Sequence, residues 1–256
     1  MSVRTLPRTV FQGLFLLGWS AGWISLALLV AAVTWSRELP LAMARKIWAP
    51  PLIRLTGARY QVDPLPALDF SRPHIFVMNH QSMLDIACAF AALPVNLRFV
   101  AKNVLKFVPF LGWYMWATGM IFVDRTKGVR ALRSLAQAAA RVRDGASILA
   151  FPEGTRSKTG EVLPFKRGLF ALAMEAGVPI VPVAIEGSGK VLSSGRFHCV
   201  PGDVRLRVGA PIATAGRPRN GRDALMNEVR DALLELHRQI GGGGGQTLVS
   251  AATGTD

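Results

Sequence analysis

At 256 residues the chain can bury one full hydrophobic core and carry an appendage, which excludes an assembly of several large domains. Half of its residues are hydrophobic, high for a water-soluble protein, and a net charge of +14 implies an anionic partner, either nucleic acid or an anionic lipid surface. Two widely separated cysteines, Cys88 and Cys199, exclude a disulfide framework and a cysteine zinc site, and favour a reducing compartment.

From Val10 to Ser36 no residue is charged. As a helix this run reaches about 40 Å, enough to cross a hydrocarbon core of about 30 Å. It is too long for a cleavable signal peptide, and no small-x-small site ends it, so it reads as a retained anchor. Arg4 and Arg8 precede it, and Arg37, Arg45, Lys46 and Arg54 follow. The positive-inside rule places the main body on the cytoplasmic face of the cell membrane. Charge on both flanks equally suits a bent helix pair broken at Pro40, with Leu41 to Leu55 in the interface. Pro50-Pro51 should interrupt the second helix and Gly57 should end it.

The remainder alternates strand and helix. Arg59 to Asp63 reads as an edge strand, His74 to Met78 as a buried one, and Leu84 to Leu93 as a helix. Leu97 to Ala101 is strand-like, Phe107 to Trp116 is a compact aromatic stretch, and Met120 to Val123 is a strand. An amphipathic helix over Gly128 to Val142 precedes a strand at Ser147 to Phe151. A helix at Gly168 to Ala176, strands at Val178 to Ile185 and Val204 to Val208, and a helix at Arg222 to Ile240 complete the pattern. The expected fold class is α/β, a mostly parallel sheet flanked by helices, with an N-terminal membrane-embedded helix or helix pair. Residues 1–57 form the membrane-associated segment, 58–240 the α/β domain, and 241–256, opening with Gly241 to Gly245, a flexible tail.

Three stretches could carry chemistry. His80 follows the Ile75–Met78 run, and Asp85 comes five residues later, at the start of a helix pattern. On one helix such positions point about 140° apart, so the two side chains meet only if His80 lies in the turn before it. A carboxylate there could fix the imidazole tautomer and support an imidazolium. Ser82-x-x-Asp85 also matches a capping box, so Asp85 has a purely structural reading as well. Gly119 to Arg125 is a strand ending in Asp124-Arg125, either a phosphate grip or a surface turn. Phe151-Pro152-Glu153-Gly154-Thr155-Arg156-Ser157 follows a strand, with Gly154 permitting close approach and Arg156 supplying charge; Glu153 reads equally as a loop brace. Phe165 to Gly168 opens a helix whose N-terminus favours anions.

Gly187-Ser188-Gly189-Lys190 resembles the end of a phosphate loop, but Ala184 stands at the first glycine position and Val191 follows the lysine. No Gly-x-Ser-x-Gly elbow occurs, which argues against a serine hydrolase. His74, His198 and His237 lack metal-ligand spacing. Basic residues are spread along the chain instead of concentrated, which disfavours a nucleic-acid site and, with it, the reading of a non-catalytic anionic-lipid or nucleic-acid binder.

Four blocks in order, Asn79-His80-x4-Asp85, Gly119 to Arg125, Phe151 to Arg156 and Val178 to Val183, resemble the glycerolipid acyltransferase family over about residues 70 to 190. The resemblance implies acyl transfer from acyl-CoA or acyl-carrier protein to a lysophospholipid hydroxyl, with no further cofactor and with membrane lipid as its surroundings. His80 would be the general base and Asp85 its orienting partner. Arg125, Glu153, Gly154, Thr155 and Arg156 match the positions that hold the glycerol phosphate, and Lys102 is a further phosphate candidate. The third block best fits 1-acyl-sn-glycerol-3-phosphate as acceptor, giving phosphatidic acid; a lyso-ornithine lipid or another lysophospholipid is the alternative.

Overall fold

A computed structural model describes residues 6–123, 129–195 and 198–245. Helix α1 (Leu6–Thr34) contains the uncharged run, and among its described side chains only Gln12, Trp23 and Ala27 are buried. The 25 residues Val10–Thr34 would cover about 37 Å of helix axis, and their exposed leucines and phenylalanine suit a hydrocarbon solvent. A turn at Trp35 to Arg37 leads into α2 (Glu38–Met43), a π-helical turn (Ala44–Trp48) and α3 (Ala49–Thr56). Here two expectations fail. Pro40 lies in the first turn of α2, where a helix needs no N–H donor, and Pro50-Pro51 closely follow the π-helical turn, whose shifted hydrogen bonding accommodates their missing donors, so none of them ends the helix. Gly57 does end the segment, in the left-handed region at φ 77°. The segment packs back along α1, tied by Gln12 Nε2 to the Leu55 carbonyl (3.3 Å) and Trp19 Nε1 to the Trp48 carbonyl (3.2 Å).

Seven strands form one sheet: β1 (Ala58–Val62), β2 (Ile75–Met78), β3 (Arg98–Lys102), β4 (Ile121–Val123), β5 (Ile148–Ala150), β6 (Ile180–Glu186) and β7 (Gly202–Val208). Their order is β1-β7-β6-β2-β5-β3-β4. Strands β2 to β6 run parallel, as expected of a continuous apolar strand such as Ile75–Met78, which is buried on both faces. β7 is antiparallel to β6, and β1 is parallel to β7 at the edge.

Alternation splits the core. Phe76, Met78, Leu149 and Val183 face α3 and α4 (Leu84–Ala92); Ile75, Val77, Ile148 and Ile180 face α6 (Val129–Arg143), α7 (Gly168–Ala176) and α9 (Arg222–Gln239). Helices α5 (Leu111–Ala117) and α8 (Ser188–Val191) complete the set among the described residues. Gly241 to Gly245 is not a free tail: Gly245 bridges Val162, and Gly242 lies so close to the His237 ring that a Cβ would fall 2.3 Å from it.

Strands β2 and β5 are neighbours, but the chain leaves β2 through α4 toward β3 and leaves β5 through α7 toward β6, on opposite sides. Loops that part in this way open a crevice at the carboxyl ends of the strands, where ligands of open α/β sheets bind. His80 and the Phe151–Ser157 loop stand there.

Candidate active site

The turn after β2 is fixed from its first residue. The Asn79 side chain donates to the Ile185 carbonyl and accepts from the Ile185 N–H, each at 2.8 Å, so it extends the β2–β6 ladder by one amide. His80 follows, outside α4 as the spacing requires. Its backbone N–H donates to Glu153 Oε1 (2.8 Å), and its carbonyl accepts from the Ser157 N–H (2.7 Å). Its ring stacks on Phe151 with centroids 3.9 Å apart and planes 17° from parallel. Nδ1 lies 2.7 Å from Asp85 Oδ2.

Asp85 is fully buried, and the same Oδ2 accepts the backbone N–H groups of Gln81 (2.7 Å) and Ser82 (2.8 Å). Capping and orienting the imidazole are therefore done by one oxygen. Two backbone N–H groups already donate to Oδ2, so a neutral imidazole pairs with it through Nδ1–H and presents the Nε2 lone pair. Nε2 is the one functional atom of His80 left for the crevice, and the side chain keeps 13% of its surface exposed. Such a residue can take a proton from a hydroxyl.

Glu153 is engaged with backbone: it is 2% exposed, and its second oxygen accepts the Leu163 N–H (3.2 Å), so each oxygen braces the loop as one of its two readings expects. Burial pushes its carboxyl up to about 8, against the pull of the two amides. Gly154 adopts φ 70°, a turn that glycine favours, and Thr155 is exposed on the loop. Arg156 is half-buried and forms no ion pair with the described residues. Lys102 ends β3 in register with Val123, the last residue of β4, at the same carboxyl edge. Arg125 lies outside the described residues.

Gly187 to Val191 forms a short turn whose first glycine lies so close to β7 that a Cβ would meet the Asp203 carbonyl at 2.0 Å, so packing accounts for it. Three nucleophile candidates among the described residues are occupied or buried. Cys88 and Cys199 are buried, and Ser82 Oγ donates to the Leu192 carbonyl (2.6 Å) while accepting from Leu84 N–H (3.1 Å).

Residues 55–186 match the model of the Acyltransferase family. The chain belongs to this acyltransferase family. It is 36% identical over 173 residues to the 1-acyl-sn-glycerol-3-phosphate acyltransferase of Saccharomyces cerevisiae, covering 66% of this chain and 57% of the yeast protein. It is 34% identical over 198 residues to the human 1-acyl-sn-glycerol-3-phosphate acyltransferase alpha, covering 76% of this chain and 70% of the human protein. The crystal structure of the 1-acyl-sn-glycerophosphate (LPA) acyltransferase PlsC from Thermotoga maritima superposes with a TM-score of 0.75 at 25% identity, over 93% of this chain and 97% of that one.

The acyltransferase also holds a buried network that its sequence does not announce. Gln81 Nε2 donates to the Gly160 carbonyl (3.0 Å) and Glu186 Oε2 (2.9 Å), and Glu186 Oε2 lies 2.9 Å from Nε2 of the buried His237. Burial raises the Glu186 carboxyl, but hydrogen bonds from His237, Lys190 and Gln81 outweigh it and bring it down to about 2. Adjacent in sequence to His80, Gln81 thus ties the His80 turn to β6 and α9. Lys166, from the Phe165–Gly168 stretch, reaches the Phe151–Ser157 loop: its amine lies over Gly154, 2.8 Å from where a Cβ would sit.

Proposed function

We propose that this acyltransferase moves an acyl group from acyl-CoA or acyl-carrier protein to the free hydroxyl of 1-acyl-sn-glycerol-3-phosphate, forming phosphatidic acid. The observation that carries the reading is the His80–Asp85 pair at 2.7 Å, which leaves Nε2 free, while Ser82 Oγ is engaged and both cysteines are buried. His80 Nε2 takes the hydroxyl proton as the oxygen attacks the thioester carbonyl. Asp85 supports the imidazolium that results and does not itself take the proton. The tetrahedral intermediate collapses, the C–S bond breaks, and the imidazolium returns its proton to the departing thiolate. No covalent acyl-enzyme forms. Arg156, with Lys102 and Lys166 from the same edge of the sheet and with Arg125 on its sequence match alone, supplies the cations for the acceptor's phosphate. The names of the yeast, human and Thermotoga relatives support this acceptor. Basic residues after α1 support a catalytic domain on the cytoplasmic face.

The test offers full-length protein in vesicles one labelled acyl thioester and a panel of lysolipids. Labelled phosphatidic acid should dominate, and His80→Ala should reduce it by about 10³-fold or more while the protein still folds. Near-wild-type transfer by that variant would sink the mechanism, and preference for a lysolipid without a phosphomonoester would sink the acceptor. Supplying acyl-CoA and acyl-carrier protein separately decides the donor.

A further inference from the structure

The segment after β3 exposes more apolar surface than a water-facing loop should. A 3-10 turn (Asn103–Phe107) and α5 expose Val104, Phe107, Phe110, Leu111, Trp113 and Trp116, with Phe107 at 74% and Trp116 at 72%. These side chains are contiguous along one stretch, unlike the scattered apolar residues of an ordinary surface. The stretch is also a built element. Leu111 and Gly112 donate backbone N–H groups at 2.7 Å to the Pro109 and Val108 carbonyls, and a Cβ on Gly112 would meet the Lys106 carbonyl at 2.3 Å. Tyr114 and Met115 are buried inward, while Trp113 and Trp116, three residues apart, share the outer face of α5.

What covers this face follows from its composition and neighbours. Residues 103 to 120 contain no Asp or Glu, and their one cation, Lys106, sits with Nζ 4.8 Å over the Phe107 ring. Trp and Phe with a snorkelling Lys are the residues of a membrane–water interface. α5 packs directly on α1, whose exposed apolar residues already call for hydrocarbon, so one lipid phase reaches both. The segment leaves β3 at Lys102, on the carboxyl edge of the sheet where the His80 turn and the Phe151–Ser157 loop lie.

We propose that residues 103–116 are a second bilayer-contacting element, an aromatic wedge at interfacial depth beside α1, which sets the mouth of the crevice against the lipid surface. An acceptor lysolipid then reaches His80 without leaving the lipid phase; this last step rests on the acyl-transfer reading, whereas the bilayer contact does not.

The contact is tested on the full chain. The buried native cysteines leave a single Trp116→Cys thiol to be labelled with an environment-sensitive fluorophore, with Asp231→Cys on the exposed face of α9 as the comparison. In phosphatidylcholine–phosphatidylglycerol vesicles with brominated acyl chains, the label at 116 should be blue-shifted and quenched several-fold more than the label at 231. Equal quenching at both positions would overturn the proposal. So would shielding at 116 that requires added acyl-carrier protein or rises with protein density at fixed lipid, since either would give the face to a protein partner. Separately, Phe107→Ser/Trp113→Ser/Trp116→Ser should lose about tenfold in transfer to vesicle-borne acceptor and stay within about twofold on a short-chain monomeric acceptor. Equal loss on both would overturn the delivery role, and the labelling result stands whatever that variant's folding.

Discussion

Asp85→Asn separates the two tasks that one oxygen performs. The Asn carbonyl can still accept from His80 Nδ1, Gln81 N–H and Ser82 N–H, because three donors at 2.7 to 2.8 Å hold an oxygen in that position and would repel an NH2. The tautomer is kept, and what is lost is the negative charge facing the imidazolium. At about 4 Å and an effective dielectric near 20, that attraction is of order 4 kcal/mol, or about 10³ in rate. Stability falls for a different reason. Among the described residues Asp85 Oδ1 is buried without a hydrogen-bond partner, so the variant's NH2 would be stranded there, at about 1–3 kcal/mol, and two amide caps lose their charge assistance. The assay is a double-mutant cycle with His80→Ala, reading both kcat/KM in vesicles and Tm. If Asp85 acts on the chemistry through His80, Asp85→Asn should cost almost nothing further in rate once His80 is gone, while most of its Tm loss persists. Additive losses in rate would refute the assignment of Asp85 as the orienting partner.

Three further outcomes are expected. Glu153, raised to about 8, favours the folded state fully below its ordinary 4.5, and that contribution is lost as pH rises through about 8. Tm should therefore fall more steeply between about pH 5 and 9 in the wild type than in Glu153→Gln; parallel profiles would contradict it. Asn79→Asp sets a carboxylate oxygen against the Ile185 carbonyl at the 2.8 Å separation of a hydrogen bond, in a fully buried site, and should cost about 3 kcal/mol or more in chemical denaturation. Arg156→Ala should raise KM for a phosphomonoester acceptor by about tenfold or more with a smaller change in kcat, and Arg156→Lys should recover part of it; an unchanged KM would remove Arg156 from the phosphate site.

Periodicity carried the sheet well because four of its strands, β2, β4, β5 and β6, are short apolar runs with no competing helical pattern. Ile75–Met78 and Ile180–Glu186 are buried over almost their whole length, so position in the sheet and composition agree. Proline misled where position within a helix matters more than its presence. The sequence shows Pro40 and Pro50-Pro51, but not that Pro40 falls in a first turn after a bend and the pair closely after a π-helical turn. The His80–Asp85 meeting was legible because five-residue spacing admits one geometry. Glu153 stayed open between two readings because a glutamate in a basic loop reads alike whether it turns toward a ligand or toward two backbone amides. Gln81, Glu186 and His237 were invisible as a group, since separations of 105 and 156 residues leave no local pattern.

These constraints bear on why the transfer would run in one step. A covalent relay needs a second side chain that can approach the carbonyl and then release the acyl group, and that group must be free to move. Here Ser82 Oγ is committed on both sides, and the buried thiols cannot reach the crevice. His80 is held by Glu153 at its N–H, by Ser157 at its carbonyl, by Phe151 across its ring and by Asp85 at Nδ1, so the entropy of placing the base is lost on folding and not at each turnover. A base fixed in this way suits an acceptor that brings its own hydroxyl and is oriented by its phosphate. It leaves the lipid's long chain to be accommodated by the medium, which is the one component that the exposed flank of α1 already demands.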